Sequence, residues 1–467
     1  MSTALRPYAT VGVTLIGAGL LAATPVVSAG PELVWRAVQL AAGDEIGLVV
    51  GGTGTPIPSP DYIAGGDAYI QRILPGAVSH GVFTPEGGSP IYTGVKSLPF
   101  DTSFAQGTMI LTSDIEQAVA AGNTVAVYGE SQSSTISGMV MPNLEQDGVA
   151  ADAVKFVLVG DPSNPDGGLL ERFAPLSLPA LGITFSGATP PDTIYDTTIY
   201  TQEYDGFADF PKYSLNVLAD LNAFLGIEYV HPTYQDLTPE QLDNALLLPT
   251  TADYDGNTTY YMVPMADGQV LPLLRIFEGI PLIGKPLVDL LNPALTQIVN
   301  LGYDNPDNQG WDVGQANVPT TFGLFPSTEQ LATAMNNMGP ALQEGFQAFL
   351  NDLEHPATAD SSPLVGDLAA GSLPSFTDIV NGLSSAFSQA YATALPTADI
   401  LTSLLVNMPA YDVSLFTDNL FSNPIDAIGL PLAADTGLIT LAVGIEFMVL
   451  QETASSISAT LQDLFAG

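Results

Sequence analysis

The sequence predicts an α/β protein, a parallel sheet flanked by helices, with an α-helical C-terminal region after it. Three observations carry that expectation. Short apolar runs recur early in the chain, as EIGLVVGG at 45–52, TVAVY at 124–128 and VKFVLV at 154–159. Helical periodicity fills the intervals between them, and beyond Asp312 only helical patterns remain. Strands that are apolar at nearly every position are buried on both faces, which is the condition of a parallel sheet.

Taken in order, Glu45–Gly52 reads as the first strand and Asp61–Leu74 as a helix. Ser103–Ala121 is a better helix, since Phe104, Met109, Ile110, Ile115 and Val119 fall near helical spacing. Thr124–Tyr128 is the second strand, Ser133–Leu144 the next helix, and Val154–Val159 the third strand, ending at Gly160-Asp161-Pro162. Thr193–Tyr200 is a fourth strand and Lys212–Leu225 another helix. Alternation of this kind implies right-handed crossovers. Asp253–Asn257 resembles part of a calcium loop but lacks the closing glutamate, so a turn before the strand TTYYMV is the better reading. Later, Thr328–Leu353, Phe376–Leu395 and Gly437–Leu464 read as helices that cap the sheet. The apolar stretch Gly437–Leu450 contains Glu446 and is too short to span a bilayer, so it is expected to be a buried helix.

Composition narrows the function classes. The 467 residues carry 49 acidic and nine basic side chains, for a net charge of −40, which makes nucleic acid and anionic headgroups poor partners. Charged residues are only 12% of the chain, so much of the surface is neutral and suits an apolar or lipid substrate. Cysteine is absent, which removes disulfides, thiolate metal sites and cysteine nucleophiles. With His80, His231 and His355 the only histidines, a histidine-rich metal centre is not expected, nor is any cofactor. After Arg6 an uncharged stretch runs from Pro7 to Pro31 and contains Val27-Ser28-Ala29. Residues 1–29 therefore read as a secretory signal or an uncleaved membrane anchor, and the protein as exported, secreted or held at the cell envelope.

Gly129-Glu130-Ser131-Gln132-Ser133 directly follows the strand TVAVY and directly precedes a helix. That is the setting of a nucleophile elbow, with Ser131 at the apex of a strained turn. The amide of Gln132, at the helix N-terminus, is a candidate oxyanion donor, and the glycine-rich loop around Thr53 is the candidate for the second. The acid and histidine should follow in chain order. His231 fits, whereas His80 precedes the elbow and His355 sits in the helical region. For the acid, Asp209 is preferred because a short loop after the strand can turn it back toward the site. Asp205, at the strand end, is the runner-up and Asp161 a third option. No Gly-Lys-Ser/Thr follows the glycine-rich loop, so it is not a phosphate loop.

Five stretches in this order, GGTGTPIP at 51–58, YGESQSS at 128–134, GDPSNPDGGLLERF at 160–173, YDGFADFPKY at 204–213 and HPTY at 231–234, resemble the PE-PPE domain of mycobacteria and related actinobacteria. The resemblance runs to about Asp304 and leaves the C-terminal helices outside it. It implies a cutinase-like α/β-hydrolase fold and a serine esterase or lipase, with Ser131, Asp209 and His231 at the triad positions. It also implies an alternative, because some members look like acyltransferases that move fatty acyl groups onto trehalose-type glycolipids. The helical PE or PPE module that names the family is missing, and an export signal stands in its place. The expected organisation is a signal or anchor at 1–29, a hydrolase domain at 30–311 and a helical region at 312–467. The expected activity is ester hydrolysis through an acyl-enzyme, with an acyl ester or lipid as substrate. A non-catalytic lipid- or partner-binding envelope protein is the rival from another class.

Overall fold

Seven strands make one sheet in a computed structural model of the chain, in the spatial order Val78–Val82, Glu45–Val50, Thr124–Glu130, Val154–Val159, Asp196–Gln202, Thr258–Val263 and Leu246–Leu247. The structure describes residues 43–92, 97–266, 268–278, 280, 283–355 and 376–466, so the segment read as a signal or anchor at 1–29 lies outside it. Along the chain come β1 (Glu45–Val50), α1 (Pro60–Ile73), β2 (Val78–Val82), α2 (Phe100–Ala120), β3 (Thr124–Glu130), α3 (Gln132–Gln146) and β4 (Val154–Val159). A small ribbon of β5 (Ser177–Leu178) and β6 (Ile183–Thr184) stands apart from the main sheet. There follow β7 (Asp196–Gln202), α4 (Val217–Tyr229), β8 (Leu246–Leu247), β9 (Thr258–Val263) and α5 (Gly284–Val299). All pairings in the main sheet are parallel except that of β8 with β9. The mostly parallel sheet between helices and the helical C-terminal region are the architecture the sequence predicts.

The central strands β1, β3 and β4 are buried almost throughout, which is why their sequences are continuously apolar. Val49, Tyr69, Tyr128, Val157 and Tyr234 belong to one core cluster between the sheet and its covering elements. Helix starts follow local chemistry. Ser59 caps α1 by accepting from the Tyr62 amide, with Pro60 at the first helical position, and Asn216 caps α4 by accepting from the Ala219 amide.

The C-terminal region consists of α6 (Thr328–Glu354), α7 (Phe376–Thr402), α8 (Met408–Asn419) and α9 (Pro424–Ala466), with a π-helical segment Ser403–Asn407 joining α7 to α8. α6 packs on α5, and α9 packs on α4, α7 and α8. The approach of α9 to the sheet part is close, since a Cβ at Gly444 would meet the Phe224 ring at 2.5 Å.

Two expectations need correcting. A boundary at 311/312 would cut through a buried ion pair, because Arg172, fully buried, bonds the Asp312 carboxylate and the carbonyl and hydroxyl of Thr320. The chain up to about Phe322 therefore belongs to the sheet's own packing, and the described residues form one compact unit. Second, Gly437–Leu450 is buried on one face only. Leu438 and Leu441 face inward, whereas Ile439, Val443 and Phe447 are exposed.

Candidate active site

Ser131 stands between β3 and α3 with φ 57° and ψ −117°, a backbone conformation rare for a residue with a side chain. The turn is enforced from both sides. A Cβ at Gly129 would lie 2.8 Å from the Ser133 carbonyl oxygen, so only glycine fits before the apex. Ser133, which takes the place of the usual final glycine, uses its Oγ to accept from the Glu130 amide at 2.8 Å. Gly52 flanks the apex as well, because its Cβ would come within 3.5 Å of Ser131 Cβ.

His231 opens a short 3₁₀ segment after α4. Its Nδ1 lies 2.9 Å from both carboxylate oxygens of Asp205. Burial pulls the proton affinity of the imidazole down, but the Asp205 charge and hydrogen bond reverse this and leave it above its ordinary value. Nε2 is buried with no hydrogen-bond partner among the described residues. Ser131 and His231 are not hydrogen-bonded to each other in this structure, a looseness common in unliganded catalytic sites. Phe207 links the two, since its ring packs 4.8 Å from the imidazole and lines the same cavity as Ser131.

Asp209, the acid preferred from the sequence, does not face His231. Its carboxylate accepts from the Tyr204 amide at 2.9 Å, and burial pushes its pKa well above the usual range. The reason lies in the turn. Tyr204 is left-handed, at φ 66°, and redirects the chain so that Asp205 meets the imidazole as soon as the strand has ended. One turn of chain then carries Asp209 away, with its amide donating back to the Asp205 carbonyl. Gly206 is what permits this path, because a Cβ there would lie 2.0 Å from the Ala223 carbonyl on α4. The Asp-Gly pair at the strand end was the signal in the sequence. Asp161, the third option, is bonded instead by Thr189 and the Ser163 amide.

Asp205 is held by more than the histidine. The Tyr234 hydroxyl donates to it at 2.7 Å and the Phe207 amide at 3.0 Å. Sequence reasoning missed Tyr234, although it sits three residues beyond His231.

The two candidate oxyanion residues are brought together. Gln132 Nε2 donates to Thr53 Oγ1 at 3.0 Å and to the Gly87 carbonyl, while its Oε1 accepts from Ser103. The side chain thereby clamps the Thr53 loop beside the elbow, and the Gln132 amide, at the first position of α3, has no intrahelical acceptor. Glu130 braces the same region from behind, accepting from Tyr62, Tyr128 and Gln235, and Tyr62 in turn accepts from the Gly52 amide at 3.0 Å.

Thr53, Ser131 and Gln132 line one open cavity. One wall comes from the sheet part, as Phe104, Leu170 and Phe185. The other comes from the C-terminal helices, as Leu404, Met408, Leu438, Leu441 and Ile445. Apart from Thr53, Ser131, Gln132 and Ser403, most of its lining is apolar.

The PE-PPE domain description matches residues 75–304 of the chain. The uncharacterized PPE family protein PPE28 of Mycobacterium tuberculosis is 40% identical over 475 residues, covering 94% of this chain and 71% of that protein. The chain belongs to the PE-PPE domain family. Esterase PE16 of the same organism is 39% identical and covers 86% of this chain and 79% of its own length. Diacyltrehalose acyltransferase Chp2, also from M. tuberculosis, is 26% identical over 58% of this chain and 84% of that protein. Among solved structures, a cutinase-like protein from Cryptococcus sp. is 20% identical over 36% of this chain and 80% of its own, at a TM-score of 0.26.

The family match ends at residue 304, where the resemblance read from the sequence also ends, and the alignment with PPE28 extends beyond it into the C-terminal helices. Ser131, Asp205, Asp209 and His231 all lie inside the matched PE-PPE domain, whereas Thr53 precedes it.

Proposed function

We propose that this PE-PPE protein hydrolyses carboxylic esters of apolar acyl chains through an acyl-enzyme on Ser131. The observation that carries the reading is the His231–Asp205 pair, whose Nε2 has no hydrogen-bond partner among the described residues and whose ring packs on Phe207, a residue that lines the same cavity as Ser131. In the reaction Ser131 Oγ attacks the ester carbonyl carbon as Nε2 of His231 takes its proton, and Asp205 holds Nδ1–H and the imidazolium charge. The amides of Thr53 and Gln132 receive the oxyanion. The carbon–oxygen bond of the alcohol then breaks, and His231 returns the proton to the departing alkoxide. A water molecule activated by the same histidine releases the acid. Support for the class comes from the esterase among the relatives.

A second reading has a specific motive. The acyl cavity offers few polar groups to hold water, and an acyltransferase aligns over most of its own length. In that reading a sugar hydroxyl replaces water in the second step. The segment at 1–29 supports export to the envelope, where either substrate would be met.

A fluorophosphonate probe tests the proposal. It should label Ser131, and Ser131→Ala should abolish both labelling and turnover of p-nitrophenyl esters by about 10⁴-fold or more. Labelling elsewhere, or activity within tenfold of the parent, would sink the reading, and a chain that takes no label and turns over no ester is the non-catalytic binder. Adding a sugar acceptor to the labelled-acyl assay separates transfer from hydrolysis by product.

A further inference from the structure

α9 is apolar on two opposite faces. Its inner face supplies Leu438, Leu441 and Ile445 to the cavity. On the outer face Ile425, Ile428, Leu432, Ile439, Val443, Phe447 and Leu450 are all exposed, four of them by more than 60%. Their spacings of three, four or seven residues place them in one stripe. The stripe is roughly 38 Å long at about 1.5 Å of rise per residue. Single exposed apolar residues need no explanation, but a continuous stripe does.

We propose that this outer face docks on an uncharged lipid surface, so that acyl chains enter the cavity from that surface. Two observations choose this occupant. The exposure is not confined to the one seam that a partner helix would need. It continues on the neighbouring elements, with Leu405 and Val406 on the π-helical segment, Val413 on α8 and Phe421, 94% exposed, at the corner before α9. These elements are the ones that also give Ser403, Leu404 and Met408 to the cavity, so the docking face is the outside of the cavity's own wall. Charge then selects the headgroup. After Lys285 the sequence contains no Lys or Arg, while Asp426, Asp435 and Glu446 lie along α9. A face without cations gains nothing from anionic lipid and is repelled by it.

The purpose of the surface rests on the proposed esterase reading, but binding itself does not, and the experiment separates them. The full chain carrying Ser131→Ala is mixed with phosphatidylcholine vesicles and with phosphatidylglycerol vesicles at low salt, and partition is read by flotation. Binding to the neutral vesicles is expected, with about tenfold weaker binding to the anionic ones. Adding Val443→Asp and Phe447→Asp should cut binding to neutral vesicles by about tenfold or more. The pair Val443→Ser and Phe447→Ser serves where the aspartates impair folding. Undiminished binding of both stripe variants, or preference for phosphatidylglycerol, would overturn the proposal. So would a dimer in light scattering that the stripe variants abolish, because a second copy would then cover the face. In chains that keep Ser131, the stripe variants should hydrolyse soluble p-nitrophenyl acetate normally and lose turnover of emulsified long-chain esters. Absence of esterase activity in the parent chain would sink the proposed function and leave vesicle binding standing.

Discussion

The Tyr234 hydroxyl donates to Asp205 Oδ2 at 2.7 Å, the same carboxylate that holds Nδ1 of His231. That hydroxyl also accepts from the Gln202 amide at the end of β7, and the Tyr234 carbonyl accepts from Tyr69. Asp205 is thus anchored to the sheet through a side chain that does not line the cavity.

Tyr234→Phe keeps the ring and removes one donor from the carboxylate. A donor to a charged acceptor is worth roughly 1.5–3 kcal/mol, so kcat should fall by about 10- to 150-fold with KM unchanged. Charge on Asp205 becomes more concentrated, and the acid limb of the pH–rate profile, set by His231, should move to higher pH. A profile identical to the parent's would mean that Tyr234 is structural only.

Asp205→Asn should slow turnover by about 10⁴-fold by mis-setting the imidazole tautomer. Asp209→Asn should cost less than about tenfold, because burial favours the neutral form of that carboxyl and asparagine resembles it. Steady-state kinetics on one short ester decides between them. The reverse ranking would return the role to Asp209.

Thermal stability should fall between pH 5 and pH 8. Burial pushes Glu86 up to about 8 from 4.5, and Glu203 up to about 7. Between 4.5 and those values the unfolded chain releases protons that the folded chain retains, so rising pH favours unfolding. His231 acts in the same sense, since the stability from its raised pKa is lost as pH climbs through it. Glu86→Gln should flatten part of this slope, measured as Tm across the interval. A Tm that rises over the same range would contradict the burial argument.

Chain-length preference should follow the cavity. Each methylene buried there gains roughly 0.8 kcal/mol, about fourfold in kcat/KM, until the cavity ends. Ala442 lies on the C-terminal wall, so Ala442→Phe should move the optimum to shorter esters while leaving acetate unchanged. A flat profile in the parent would mean that acyl chains lie elsewhere. Truncations that probe this wall must keep Asp312, whose loss strands the buried Arg172.

The central strands and the elbow were legible in the sequence because burial on both faces leaves a continuous apolar run, and a strand–Ser–helix junction admits few residue types. β2 was not, since an edge strand that pairs only with β1 can read VSHGV without such a run. α5 was hidden by Pro293 in its interior. Asp205 lost to Asp209 because its selection depends on the left-handed backbone at Tyr204, a choice made by the packing of Gly206 on α4 rather than by any local pattern. The exposed face of α9 was concealed by composition, as a helix apolar on two sides reads like one buried on all sides.

Because part of the cavity lining is drawn from the last quarter of the chain, the proposed acyl selectivity would be encoded in part on a stretch separate from the one that carries Ser131 and His231. Mutations in the C-terminal helices can retune what is accepted without touching Ser131, His231 or Asp205. Relatives that share the elbow are then free to diverge in diet, and exchanging their C-terminal helices would transplant a preference rather than a chemistry.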